Sequence, residues 1–313
     1  MKKRMELSVP DSDLRQHEDR SERVRYSGYT CLSQMRIRIH FLIIFVRYSC
    51  LLLQIIIMRL KLVLKIVEGT VLPCNYMYEL SSCLYKVLNE GNPVFTAWLH
   101  DKGYCKEKKV FKLFTFSNFY FPCFRIEGDR IFVLADTAQL IVSFYPIEAI
   151  DAFVMGLFKN RQLEVGDRKS RVRFEVFNLE RQAEPEFTSR MFFKTLSPMF
   201  IEEQLPETRK AIHLSPGNPK FAELLHLNLL DKYRVFYGQE PDPSWPLTRL
   251  HLLSEPKPKT IVLKVGTPEE TRMKGYTFRF ELEGQPELLR LGYEGGFGRL
   301  NSQGFGCVEV LKQ

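Results

Sequence analysis

The run "RLKLVLKIVE" (59–68) sets Leu60, Leu62, Leu64 and Ile66 against Arg59, Lys61, Val63 and Lys65, the two-residue period of a strand with one buried face. In "LPCNYMYELSSCLYKVLNE" the period lengthens, and Leu80, Leu84, Val87 and Leu88 fall on one face of a helix. "NPVFTAWLHDKG" reads as a second short helix, with Pro93 near its start and Gly103 just past its end. Strands are expected at "KLFTFSNFYF" and "RIFVLAD", a helix at "PIEAIDAFVMGLFKN" and a further strand at "RVRFEVFNLE". The order β-α-β-β-α-β is the ferredoxin-like unit, which is also the architecture of the RNA-recognition module.

A charged, Pro-containing stretch, "RQAEPEFTS" (181–189), precedes "MFFKTLSPMFIE", where the pattern starts again. "NPKFAELLHLNLLDKYRVFYG" supplies a helix, "LTRLHLL", "KTIVLKV" and "YTFRFELE" strands, "PELLRL" a short helix and "CVEVL" the last strand. The expected fold is therefore α+β, with two tandem ferredoxin-like (RRM-like) domains at residues 58–182 and 188–313. A glycine-rich loop, 292–306, lies between the last helix and the last strand.

Residues 1–57 stand apart. They open with a polar, aperiodic, mixed-charge stretch and continue into "FLIIFVRYSCLLLQIIIM" (41–58), which Arg47 and Gln54 interrupt. A membrane span needs about 20 consecutive apolar residues, and a signal peptide does not follow some forty soluble ones. This extension is expected to be irregular, arising from an upstream start codon, with a membrane anchor or interaction segment as the alternative. It holds ten Lys and Arg against six Asp and Glu, half of the net charge of +8, so overall basicity is a weak pointer to an anionic partner. The seven cysteines are scattered without a C-x-x-C pair, and the six histidines show no H-E-x-x-H spacing. A disulfide scaffold or a metal centre is not expected, and the compartment read from this usage is a reducing cytoplasm.

"GYEGGFGRLNSQGFGCVEV" (292–310) places six glycines within fifteen positions. Glycine is favoured where φ is positive or where another molecule lies against bare backbone, so the stretch calls for a ligand. It has no G-x-x-x-x-G-K-[ST] loop, and Gly296-Phe297-Gly298 is followed by Arg299, Leu300 and Asn301 instead of a third dinucleotide-binding glycine. ATP and NAD are poor candidates. There remain backbone N–H groups suited to phosphate, the Arg299 guanidinium, the polar groups of Asn301 and Ser302, and Phe297 and Phe305 as apolar anchors. A glycine-rich connection with tight turns is the alternative.

This stretch resembles the C-terminal glycine-rich loop of the CRISPR-associated repeat-processing endoribonucleases, the Cas-six family of the repeat-associated mysterious protein (RAMP) superfamily. "FKTLSPMFIE" (193–202), "LLDKYRVFYG" (229–238) and "LPCNYMYELSSCLYKVLNEGNPVFTAWLHDKG" resemble family segments in the same order, so the similarity runs from Met58 to the C-terminus. Leu300 departs from the family pattern, which often has a basic residue before Asn-Ser. The resemblance implies two ferredoxin-like domains that bind CRISPR repeat RNA and cut it without metal or cofactor. The 2′-hydroxyl attacks the adjacent phosphate and leaves a 2′,3′-cyclic phosphate and a 5′-hydroxyl. Gly296, Gly298, Arg299, Asn301, Ser302, Gly304 and Gly306 are the implied RNA-binding residues.

One family branch uses Tyr, His and Lys, and the matching positions here are Tyr85, His100 and Lys112. At about 100° per residue, Tyr85 and His100 lie off the apolar stripes of their helices, where both could face a cleft. His100 falls in the last helical turn, where the dipole favours imidazolium, and is the candidate acid. A tyrosine phenol is a poor base unless a cation such as Lys112 depresses it or the 2′-hydroxyl is activated by positioning. Lys112 would stabilise charge on the phosphorane. His213, His226 and His251 read as structural or surface residues. A homodimer and a CRISPR interference complex are further partners compatible with the resemblance, and no membrane partner is expected. A RAMP subunit that holds guide RNA without cutting it is the competing reading.

Overall fold

The strand Arg59–Glu68 lies in the middle of a five-stranded antiparallel sheet. Its order is Phe114–Phe116, Thr137–Phe144, Arg59–Glu68, Arg171–Arg181 and Gln162–Gly166. The structure, a computed structural model, describes residues 59–311 except 108 and 206–210. The expectations for the extension 1–57, its upstream start and its apolar run, fall outside the described residues. No helix among the described residues is long and apolar enough to cross a membrane.

Leu60, Leu62 and Leu64 are buried, as their alternation requires, in a core shared with helices α1 (Met77–Gly91), α2 (Pro93–Asp101) and α3 (Ile147–Lys159). On α1 the buried stripe includes Leu80, Leu84, Val87 and Leu88. Asn92 starts α2: its side chain accepts a hydrogen bond from the Phe95 N–H at 3.0 Å, and Pro93 occupies the first helical turn, where its missing donor is harmless.

One strand assignment is corrected. "RIFVLAD" does not enter the main sheet, because Arg130–Val133 pairs with Val71–Pro73 and Phe124–Glu127 in a separate three-stranded sheet. The place beside Arg59–Glu68 is taken by Thr137–Phe144, "TAQLIVSF", which is absent from the sequence reading. Its Ala138, Leu140 and Val142 are buried in alternation, but Ile141 on the opposite face is also apolar and blurs the period.

The second half carries a four-stranded antiparallel sheet ordered Arg249–Leu252, Arg279–Glu283, Arg190–Thr195 and Val308–Val310. Helices α4 (Pro219–Tyr237) and α5 (Pro286–Gly295) accompany it. In both sheets the second, third, first and fourth strands of the unit lie side by side, the ferredoxin-like order. "KTIVLKV" is not one of them: Lys257–Leu263 pairs with Thr271–Thr277 as an inserted hairpin. The hairpin reaches the first half, where its Ile261 and Leu263 join that core and the Val262 N–H donates to Asn75 Oδ1 at 2.9 Å. Helix α5 runs past "PELLRL" through Gly292 to Gly295, so the loop proper begins at Gly296.

Two buried ionisable side chains mark the seam between the halves. Arg59, expected on the exposed face of its strand, is only 4 % exposed. Its guanidinium stacks 4.4 Å from the Tyr293 ring and donates to the carbonyls of Tyr293 and Val308, which removes it from solvent. On α5, Glu294 is 2 % exposed, and one carboxylate oxygen has no hydrogen-bond donor among the described residues. Burial pushes its pKa up to about 8, against the pull of Arg290.

The native chain therefore binds a proton at Glu294 that the unfolded chain releases above about pH 4.5. Stability from this residue is full below that pH and declines as pH rises toward about 8. Glu294→Gln should remove the decline, so its stability relative to wild type should increase between pH 5 and pH 8 by roughly a few kcal/mol. Urea melts at the two pH values, comparing both proteins, measure the difference.

Candidate active site

The glycine-rich loop is held from both sides of the seam. Phe297 is buried in the second core, its ring centroid 5.3 Å from that of Phe193, and Phe305 is buried in the first core, 5.6 Å from Phe200. Between these anchors the chain turns sharply, with Gly296, Gly298, Gly304 and Gly306 all at positive φ. None of these four positions can accept a side chain without rearrangement, and two are tightest. A Cβ on Gly306 would lie 1.9 Å from the Phe297 carbonyl oxygen, and one on Gly304 would lie 2.2 Å from Met77 Cε of α1.

The interior of the loop is organised by a lysine that sequence reasoning missed. Lys232 of α4 is 1 % exposed, and its ammonium donates to the carbonyls of Gly296 (2.5 Å) and Gly298 (2.9 Å) and to Asn301 Oδ1 (2.8 Å). All three donors are thus used. Burial pulls its pKa down to about 7, while the surrounding oxygens favour the charged form. The Asn301 amide nitrogen donates in turn to the carbonyls of Phe297 and Phe305, each at 3.0 Å. A signal was present in the sequence: Lys232 follows Phe221, Leu225 and Leu229 at helical spacing, a lysine on an apolar stripe.

The residues expected to contact RNA therefore divide. The four glycines and Asn301 are turned into the protein, and Asn301 is committed to internal bonds. Arg299 and Ser302 are half-buried; the Arg299 guanidinium pairs with Glu202, and the Arg299 backbone N–H donates to the Phe200 carbonyl at 2.9 Å. Ser302 faces α1, where Ser81 Oγ donates to its carbonyl at 2.6 Å.

Tyr85, four residues beyond Ser81 on α1, meets the same loop: its phenol lies near the Ser302 side chain, which pulls its pKa down. The Tyr85 ring packs edge-on against His100, centroids 5.5 Å apart, and against Phe114 at 5.4 Å. His100 lies in the last turn of α2 with a side chain 69 % exposed, its Nδ1 3.0 Å from Asp101 Oδ1. Lys112 donates to the carbonyls of Leu99 and His100, the second at 2.7 Å, which caps the C-terminal end of α2 with a cation. The fold thus brings Tyr85, His100, Lys112 and Ser302 into one cluster where α1, α2 and the loop meet.

Burial pushes the Tyr85 phenol up to about 12, only partly offset by Ser302, and burial lowers the Lys112 pKa. Tyr85 is therefore protonated near neutrality and acts as a hydrogen-bonding group; Lys112 is turned toward carbonyl oxygens. Of the other histidines, His226 is buried and accepts the Thr248 N–H at 3.2 Å, and His213 accepts the Lys274 N–H at 3.2 Å.

Comparison with known proteins gives this arrangement a family. The family description "CRISPR-associated protein Cas6, N-terminal" matches residues 71–177, and "CRISPR associated protein Cas6, C-terminal" matches residues 182–310. A CRISPR-associated endoribonuclease Cas6 of Methanocaldococcus jannaschii is 32% identical over 254 residues, which cover 80% of this chain and 92% of that protein. The chain belongs to the Cas6 family. A Cas6 endoribonuclease of Pyrococcus furiosus is 29% identical over 243 residues, covering 76% of this chain and 83% of the relative. Among solved structures, a Cas6-related protein from Pyrococcus furiosus superimposes with a TM-score of 0.70 at 26% identity, covering 82% of this chain and 99% of that one. A RAMP protein described as binding different RNA substrates gives 0.67, also at 26% identity, covering 82% of this chain and 100% of that one.

In this Cas6 chain the loop depends on one buried cation. Lys232→Met keeps the length and apolar stem but leaves three oxygens without donors, and should destabilise the protein by about 3 kcal/mol. Gly304→Ala should also destabilise it, by about 1–3 kcal/mol from the positive φ alone, with further loss from the Met77 contact. Denaturant melts measure both.

Proposed function

We propose that this Cas6 protein is a metal-independent endoribonuclease that cleaves CRISPR precursor RNA within its repeats to produce guide RNAs. The observation that carries the reading is the position of Tyr85 between His100 and Ser302 of the glycine-rich loop, with Lys112 bound at the end of the helix that carries His100. Its relatives' description as CRISPR-associated endoribonucleases supports the substrate.

In this mechanism the 2′-oxygen bonds to the neighbouring phosphorus as the bond to the 5′-oxygen breaks. His100 gives its proton to the departing 5′-oxygen, aided by the end of α2 and by Asp101 on its other nitrogen. The Tyr85 phenol orients the 2′-hydroxyl, whose proton leaves to water on the open side of the cluster. The Lys112 ammonium turns from the Leu99 and His100 carbonyls to the crowded phosphorane. Arg299 and Ser302 present groups to the RNA backbone, while Gly296, Gly298, Gly304, Gly306 and Asn301 shape the loop beneath them.

The test incubates repeat RNA with the protein in EDTA and compares RNA carrying 2′-deoxy at the cut site. Expected are cleavage of the first only, a cyclic phosphate end and a 5′-hydroxyl end. Cleavage of the deoxy substrate, or a strict need for added Mg²⁺, would overturn the mechanism. A gel shift without cleavage would point to a binding subunit.

His100→Ala should reduce kcat by about 10²–10⁴-fold while retaining RNA binding. Tyr85→Phe, which removes a hydrogen bond but leaves the ring, should reduce it by about tenfold. Single-turnover rates under saturating protein measure both losses.

A further inference from the structure

Next to the Tyr85–Ser302 contact, α1 and the glycine-rich loop border a cavity of about 360 Å³. Tyr78 lies on its α1 side, Leu300 and Gln303 on the loop side, and Lys264, Thr271 and Met273 on the inserted hairpin. Tyr78 precedes Tyr85 by seven residues, so the cavity opens about 10 Å along the helix from the candidate catalytic phenol. The hydrogen bond from Ser81 to the Ser302 carbonyl joins the two places.

Three features point to a ligand here. Gln303 lines the cavity, and its side-chain oxygen is removed from solvent without a hydrogen-bond partner among the described residues, so no bond there opposes a turn of the amide that would bring the oxygen to a donor on a bound molecule. Leu300 (φ 58°) and Lys264 (φ 54°), on opposite walls, hold left-handed backbone conformations that are rare for residues other than glycine. Tyr78, Met273 and Leu300 supply an aromatic and two apolar surfaces around the polar end of Gln303. That combination suits a flat heterocycle with an edge of donors and acceptors.

We propose that this cavity receives one unpaired nucleobase of the RNA, close to the cut site, and that Gln303 reads it. The proposal rests on the RNA-cleaving reading above and adds a specificity residue to it. Tyr78 supplies the stacking surface, as aromatic side chains do for splayed-out bases. A glutamine amide matches the adenine edge: its oxygen accepts from the exocyclic amine and its nitrogen donates to N7. Adenine is therefore the favoured occupant.

The experiment uses repeat RNA made uncleavable by 2′-deoxy at the cut, with each nearby nucleotide replaced in turn by an abasic residue, and measures binding by fluorescence anisotropy. In wild type, one position should stand out, its loss weakening binding by about 10–100-fold. Tyr78→Ala should show a comparable loss with intact RNA, and the two losses should not add, because both remove the same contact. At that position purine riboside, which lacks the exocyclic amine, should bind wild type more weakly than adenosine does, and Gln303→Ala should abolish the difference.

Additive losses, or a Gln303→Ala protein that still prefers adenosine, would overturn the pocket. Because the preference is a ratio within one variant, a general loss of folded protein does not imitate it. Binding that shows the preference while unmodified RNA is not cut would sink the nuclease reading and support the pocket. A wild type that binds no repeat RNA would overturn both.

Discussion

A buried ammonium ion holds the centre of this molecule together. Lys232 reaches the glycine-rich loop from α4 and grips three oxygens at separate points of the turn. Asn301 accepts one of those bonds and passes two more to the carbonyls next to the aromatic anchors. Such a cation is tolerable inside a protein only when every donor is used, and the same condition makes the loop geometry hard to vary. Phe297 and Phe305 then carry this rigid turn into two different cores.

The consequence is felt across the seam. Ser302 belongs to the second half and Tyr85, His100 and Lys112 to the first, so their alignment depends on how firmly the halves are joined. Arg59 clasps the carbonyls of Tyr293 and Val308, and Asp231, next to Lys232, takes Lys106 at 3.0 Å and Lys109 at 2.6 Å. Burial would raise the Asp231 pKa, but these two lysines outweigh it and hold the carboxyl below its usual range. The buried Arg59 guanidinium and the buried Asp231 carboxylate, the latter met by more exposed lysines, tie the two halves together near the candidate site.

The glycines acquire a different meaning in this setting. Their concentration suggests bare backbone presented to a ligand, whereas the fold turns the four at positive φ toward protein atoms: the Asn301 side chain, the Phe200 and Phe297 carbonyls and Met77. Their freedom is used to close the loop on itself and against α1. What the loop offers outward comes from the residues between the glycines: Leu300, Ser302 and Gln303 face α1 and the inserted hairpin, and Arg299 pairs with Glu202 of the second half.

Local periodicity was enough to identify Arg59–Glu68, the helices and the doubled α+β plan, since burial of one face imposes a period of two or 3.6 wherever a single layer covers it. It failed at Thr137–Phe144, apolar on both faces at Ile141, and at Lys257–Leu263, whose alternation is the same in a hairpin as in a sheet. Tyr85, His100 and Lys112 could be named from motif resemblance, but the approach of Tyr85 to Ser302 could not. Residues more than two hundred positions apart are brought together by packing of two cores, and no local pattern records it. The same holds for Lys232: the chain alone shows a lysine on an apolar stripe, and only the folded molecule supplies the three oxygens that make its burial favourable.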